Sequence, residues 1–333
     1  MIKTIRVMLL PNNKQKSKLF LYANTSRYVY NWAIARERTN YKDGNKFISD
    51  YDLRKEFTQL KKLEEYDWLN TVSNDAMKQS IKDACDAYKK FFKHQTGYPK
   101  FKSRKLSMPS FYQDNVKIRF TETHVKIEGI AGSRKKNRQK LNWIKLAEHN
   151  RIPTDCKYYN PRVKYDGLNW YITVGVDCDD STNEPKNNGI GIDLGIKDLA
   201  ICSDGNIYKN INKSNKIKKI EKKKRRLQRS FSRKIKKTKR KESYRESSNL
   251  RKAKKKFLKV SRRLTNIRHN YLHQITSSIV KRKPSFICIE DLNVSGIMKN
   301  HHLLKAVQQQ CFYEFRRQIE YKASWINIIV VFA

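Results

Sequence analysis

Acidic residues are scarce in this chain, and the marks of several common chemistries are missing altogether. Only 31 of 333 residues are Asp or Glu against 74 Lys or Arg, a formal net charge of +43. No apolar run approaches the length of a spanning helix, and "VMLL" near the start is too short for the core of a signal peptide. A cytoplasmic location without membrane partners is therefore expected. The six cysteines (Cys85, Cys156, Cys178, Cys202, Cys288, Cys311) include no C-x-x-C pair, which argues against a disulfide framework and a zinc ribbon. Neither G-x-x-x-x-G-K-[ST] nor G-x-S-x-G occurs, so P-loop NTP hydrolysis and serine-hydrolase chemistry have no support.

What is present is positive charge, unevenly placed. A field of +43 repels itself and is best explained by a polyanion, with nucleic acid the natural candidate. The opening "KTIRVMLLP" alternates Ile5, Val7 and Leu9 as a half-buried strand does. Leu19, Tyr22, Ala23, Ser26, Tyr30 and Ala33 recur at helical spacing, Ser49 and Asp52 suit a helix cap, and Met77, Ile81, Ala84, Tyr88 and Phe91 form a second stripe. Further on the period changes to two. "NVKIRF", "HVKIEGI" and "RVKYDGLNWYITVGV" predict strands, the last folded at Asp166-Gly167, and together they imply a β-barrel or curled sheet to which the first strand returns.

From Lys213 to Arg268 there are 27 Lys/Arg against three acids, Glu221, Glu242 and Glu246. Leu227, Phe231 and Ile235, then Phe257, Val260, Leu264, Ile267 and Tyr271, keep a helical apolar period inside this charge. Two basic helices packed by one face are expected, with the other face on phosphate, because solvated faces usually mix both signs. Pro284 should end the second helix, and "SFICIEDLNVSGI" supplies another strand and loop. The final "SWINIIVVFA" reads as a fully buried strand.

Two acids stand out by position. Asp193 follows "GIGI" and Glu290 follows "SFICI", each at an apolar strand where a charge is costly unless paired, hydrogen-bonded or bound to a cation. Side by side they would suit Mg²⁺ through carboxylate oxygens and so the in-line cleavage of a phosphodiester; taken singly, each is more often a turn or cap residue. Asp198, in an expected hairpin, and Asp291, on the opposite face from Glu290, are weaker candidates. His269 and His273 lie four apart on a helix but without an H-E-x-x-H. They read better as packing or phosphate-contacting residues, and His301-His302 suggests nothing sharper.

The segments "RYVYNWAI", "GYPKFKSRK", "GIDLGIKDLAI", "ICIEDLNVSGI" and "FYEFRRQIEYKASW" together resemble the TnpB family of transposon-encoded, RNA-guided, RuvC-like nucleases, and the likeness runs the length of the chain. "GIDLG" alone also resembles the first phosphate loop of the actin and Hsp70 ATPases, but Ile196-Lys197 replaces the usual Thr-Thr. The resemblance implies an α+β multidomain chain. A β-barrel wedge domain (1–11 and 105–187) would hold an inserted helical recognition domain (12–104). A truncated RNase H-like (RuvC) α/β domain (188–333) would follow, with basic helices at about 213–280 and no zinc ribbon. It implies a guide RNA from flanking non-coding sequence and a double-stranded DNA target beside a short adjacent motif, with base pairing reading the target. In a bacterial cell it would be nucleoid-associated.

By motif position Lys78 and Gln79 fall near the family's reader of the adjacent motif, Gln being able to bond adenine in the major groove. Nucleic-acid contacts are expected further at Lys100, Lys102 and Arg104, and at Lys222, Lys223, Lys224, Arg225, Arg226, Arg229, Lys236 and Lys237. Asp193 and Glu290 match the first two catalytic, Mg²⁺-binding acids. Family nucleases continue past "IIVV" into a four-cysteine zinc ribbon and a third Asp, so the expectation is a C-terminally truncated member that needs no zinc. Its cleavage would be lost or impaired, and it would act as a repressor by occupying its target, like the family's nuclease-dead repressors. The alternatives are an active Mg²⁺-dependent nuclease or a fragment of one, and a guide-independent protein that coats nucleic acid.

Overall fold

The computed structural model describes residues 2–104, 106–129, 142–177, 188–240 and 247–333. The chain divides into two compact units, residues 2–178 and 179–333.

In the first unit β1 (Ile2–Leu10) runs into α1 (Asn13–Lys42), whose start is fixed by a capping box between Asn12 and Gln15. The helices α2 (Asp50–Leu60) and α3 (Asn74–Phe92) follow, separated by a 3₁₀ helix at Glu64–Thr71. Ser49 caps α2 as expected, its Oγ accepting from the Asp52 N–H at 3.1 Å. The strands β2 (Ser110–Tyr112), β3 (Arg119–Phe120), β4 (His124–Lys126), β5 (Trp143–Leu146), β6 (Tyr158–Tyr165) and β7 (Trp170–Asp177) complete the unit.

These strands form one antiparallel sheet in the order β2-β6-β7-β1-β5-β4-β3, with β1 returning to its middle. The sheet is open, so of the barrel or curled sheet that the alternation implied, the closed barrel is overturned. β1 pairs with β7 over Ile2–Leu9 but with β5 only at Leu9 and Leu10. The far strands β4 and β3, three and two residues long, stand well away from β2 at the other edge. "NVKIRF" is mostly turn. The Asp114 carboxylate accepts from the N–H groups of Val116 and Lys117, an Asx turn that outcompetes the ladder until Arg119.

α1 serves two cores. Leu19, Tyr22 and Ala23 pack on the sheet with Val7, Phe111, Ile172 and Trp170. Val29, Tyr30, Ala33 and Ile34 pack with Leu53, Phe57, Met77, Ile81 and Tyr88 of the helical layer. Glu37 is caught in that layer at 3 % exposure. Its Oε2 receives only a long bond from the Ile48 N–H, 3.5 Å, and its Oε1 has no partner among the described residues. Burial pushes its pKa up from 4.5 to about 7. The folded state thus holds a proton that the unfolded state has released across that window, and stability falls as pH rises through it. Glu37→Gln should flatten the fall in Tm between about pH 5 and 8, read against wild type by thermal melts.

The second unit opens with a meander, β8 (Ile190–Leu194), β9 (Asp198–Cys202) and β10 (Ile207–Lys209). Two long helices, α4 (Asn215–Arg240) and α5 (Ser248–Lys281), lead to β11 (Phe286–Ile289). The helices α6 (Val294–Ile297), α7 (His301–Gln310) and α8 (Phe312–Ser324) lead to β12 (Ile329–Phe332). The sheet order is β10-β9-β8-β11-β12, with β11 parallel to both neighbours. Ile190, Ile192, Ile287 and Ile289 face Leu272, Ile275 and Ile279 of α5 and Phe315 and Ile319 of α8.

β12 departs from the expected buried strand. It pairs with β11 alone among the described residues, and Ile329 and Val331 are 67 % and 46 % exposed. Val330 and Phe332 turn toward the helices. A continuous apolar run cannot report which of its two faces is covered.

Candidate nucleic-acid interface and carboxylate pair

Asp193 and Glu290 are brought side by side. β8 and β11 are in parallel register, Ile192 opposite Ile289, and the Glu290 N–H continues the ladder by donating to the Ile192 carbonyl at 3.3 Å. Since Ile192 and Ile289 both point into the core, the next residue on each strand turns to the opposite face, and both acids are solvent-exposed. Adjacent strands lie about 4.8 Å apart. Two carboxylates at that spacing fit two oxygen ligands of a hard divalent cation, with water and phosphate completing the shell. Their exposure corrects one step of the sequence argument: they are not buried charges in need of rescue.

The neighbouring acids are engaged elsewhere. Asp198 lies 3.4 Å from Lys209, and Asp291 is 2.6 Å from the Arg316 guanidinium, which also sits over the Phe332 ring. No group of three His, Cys, Asp or Glu suited to a metal occurs among the described residues. His269 and His273 form no such site. The carbonyl of His273 accepts from the buried Lys322 ammonium, and burial, then Lys322 itself, lowers the His273 pKa.

α4 carries 15 Lys or Arg and one acid. That acid, Glu221, is spoken for: Arg268 and the Gln309 amide both donate to its Oε1, at 2.7 and 2.8 Å. An inner stripe of Ile217 and Ile220 packs on Leu264 and Val260 of α5, and Phe231 stacks on Phe257 at 5.9 Å. Lys222, Lys223, Arg225, Arg226, Arg229 and Lys236 project from the exposed face, while Lys224 sits half-buried beside the stripe. The side chain of Lys237 lies outside the described residues. None of Lys222, Lys223, Arg225, Arg226 and Arg229 has a carboxylate partner among the described residues. A face of unpaired cations on one long helix can track a polyphosphate backbone.

In the first unit the predicted residues fare differently. Lys78 is exposed, 3.9 Å from Asp75. Gln79 is half-buried, and its Nε2 donates to Asp83 Oδ1 at 2.9 Å. Asp83 in turn accepts two bonds from Arg162 of β6, which leave its carboxyl below the usual carboxylate range despite burial. Arg162 was not singled out in the sequence because only the fold brings it to α3. Lys100 and Arg104 are exposed. Lys102 turns inward: Asn31 clamps both its backbone groups, and its ammonium lies 3.5 Å from the centre of the Tyr30 ring.

Known proteins are similar to this chain. The profile of the OrfB_IS605 family, described as "Probable transposase", matches residues 172–301, and one described as "Helix-turn-helix domain" matches residues 1–46. The latter stretch is β1 and the single helix α1, not two helices joined by a turn. The curated "Putative RNA-guided DNA endonuclease InsQ" of Escherichia coli is 29 % identical over 97 % of this chain and 78 % of its own. A "Putative RNA-guided DNA endonuclease" of Streptomyces pristinaespiralis is 25 % identical over 97 % and 75 %. Among solved structures, the protein of a Cas12f1-sgRNA-target DNA complex matches in fold with a TM-score of 0.58 at 12 % identity, over 99 % of this chain and 88 % of its own.

Proposed function

We propose that this chain, a member of the TnpB family, is an RNA-guided DNA-binding protein whose cleavage is lost or impaired and which acts by occupying its target. The observation that carries the binding half is the long basic face of α4, where Lys222, Lys223, Arg225, Arg226 and Arg229 have no carboxylate partner among the described residues, a face suited to a guide RNA. The sheet of residues 188–333 has the strand order of an RNase H-like (RuvC) domain, three antiparallel strands followed by two parallel ones, which supports that assignment. Residues 1–11 with 105–187, and 12–104, are assigned the wedge and recognition roles. There Lys78 and Gln79 face the adjacent motif of double-stranded DNA.

The impaired-cleavage half is supported by the acids. Asp193 and Glu290 form a pair, and the two acids nearest in sequence, Asp198 and Asp291, are held by Lys209 and Arg316. Mg²⁺ bound at the pair would polarise a phosphodiester. The chain's own part is to hold two carboxylates on adjacent strand ends, open to solvent. The same openness favours a second reading, a Mg²⁺-dependent nuclease, in keeping with the printed names of the curated relatives.

One assay separates the two. The protein is co-expressed with its flanking non-coding RNA, purified, and mixed with matched plasmid in Mg²⁺, with protection of the target scored alongside. Protection without cutting is expected. Cutting that disappears in Asp193→Ala would establish the nuclease instead, and protection of matched and unmatched DNA alike would indicate a guide-independent coat.

A further inference from the structure

Between α1, α3, residues 102–104 and 107–112, and β6 lies a small cavity of about 40 Å³. A single water needs roughly 10–15 Å³ by the same measure, so it holds about three, or the oxygens of one phosphate group. Four cations line it (Arg27, Lys102, Arg104 and Arg162), against one acid, Asp83. Asp83 is already bound to Arg162 through two hydrogen bonds. Arg27, Lys102 and Arg104 make no ion pair among the described residues. Ser26 also lines the cavity, and although it is only 5 % exposed its Oγ has no hydrogen-bond partner among the described residues.

A buried hydroxyl without a partner costs about 1–3 kcal/mol, and converging unpaired cations repel. Both costs disappear if an oxyanion enters, accepting from the hydroxyl and neutralising the cations. Burial lowers the Lys102 pKa, and the attraction of Asp83, which Arg162 also shares, does not restore it. A carboxylate ligand would satisfy fewer donors than a tetrahedral group.

We propose that Ser26, Arg27, Lys102, Arg104 and Arg162 form a seat for one backbone phosphate of the bound nucleic acid. This rests on the nucleic-acid-binding reading above. It makes Lys102, which turns away from the surface, a phosphate ligand from within.

Ser26→Asp is the sharpest test, because its carboxylate would fill the seat. Arg104→Gln is the companion, an exposed position whose change leaves the fold intact. Two readouts are taken on wild type and both variants. One is the rise in Tm given by inorganic phosphate over chloride at equal ionic strength. The other is the salt dependence of binding to a uridine 20-mer and to a 20-base-pair DNA duplex. In both variants the excess effect of phosphate should shrink, affinity for at least one nucleic acid should fall about tenfold, and its log–log salt slope should become shallower by about 0.7–0.9, one phosphate contact. The strand that shows the loss identifies the source of the phosphate. Variants with the wild-type phosphate response and salt slopes would overturn the proposal. So would loss of the phosphate response with unchanged nucleic-acid binding, which would leave a site for a free anion. A wild-type protein that binds neither nucleic acid would instead sink the reading on which the proposal rests.

Discussion

Replacing Lys222, Lys223, Arg225, Arg226 and Arg229 together by glutamine is expected to weaken RNA binding by about a hundredfold or more at about 0.15 M salt. Each phosphate contact contributes about 0.7–0.9 to the log–log salt slope, so removing five should flatten it by roughly 3.5–4.5. The fold should survive. These side chains are exposed and have no carboxylate partner among the described residues, and the apolar stripe of Ile217, Ile220 and Phe231 is untouched. Relieving self-repulsion on a helix with 15 cations should if anything raise its stability. Binding measured by fluorescence anisotropy over a salt series, with circular dichroism as the control for folding, checks both statements. An unchanged slope would mean that the RNA lies on another surface.

Asp193→Ala and Glu290→Ala should do nearly the reverse. Guided DNA binding should stay within about twofold of wild type, and stability within roughly 0.5 kcal/mol, because both carboxylates stand on the exposed face. Any Mg²⁺-dependent cutting that the protein retains should fall by about a hundredfold or more, since each change would remove one of the two proposed oxygen ligands. Binding of Mn²⁺ as a paramagnetic probe gives a readout independent of cleavage, and it should weaken in each single variant. A large loss of DNA affinity would show that the pair supports the complex, against what two exposed acids of a protein at +43 lead one to expect.

The two predictions draw differently on sequence and structure. The basic helices were legible because charge and period are local properties: Leu227, Phe231 and Ile235 mark a packing face whatever lies against it. Asp193 and Glu290 were legible as a pair, through the motifs around them, but for a reason the structure alters. Each acid directly follows a buried isoleucine, so period-two alternation turns it to the other face and into solvent, whereas the apolar composition of their strands suggested burial. The Asx turn at Asp114 and the two-residue β3 show the same limit, a side chain competing with a ladder that composition favoured.

By itself the sequence determined the excess of positive charge, the two basic helices with their apolar faces, the positions of the two acids and the resemblance to an RNA-guided family. These depend on composition, spacing and motif, all read along the chain. Tertiary structure alone decided that the first sheet stays open, that β12 is exposed on alternate residues, that Lys102 turns inward, and that Arg162 reaches Asp83. It also set Ser26 among four cations, only one of which, Arg162, is paired among the described residues. The physical reason is that burial and pairing are relations between residues far apart in sequence, 79 positions in the case of Asp83 and Arg162, and no local pattern encodes which faces the fold will bring together.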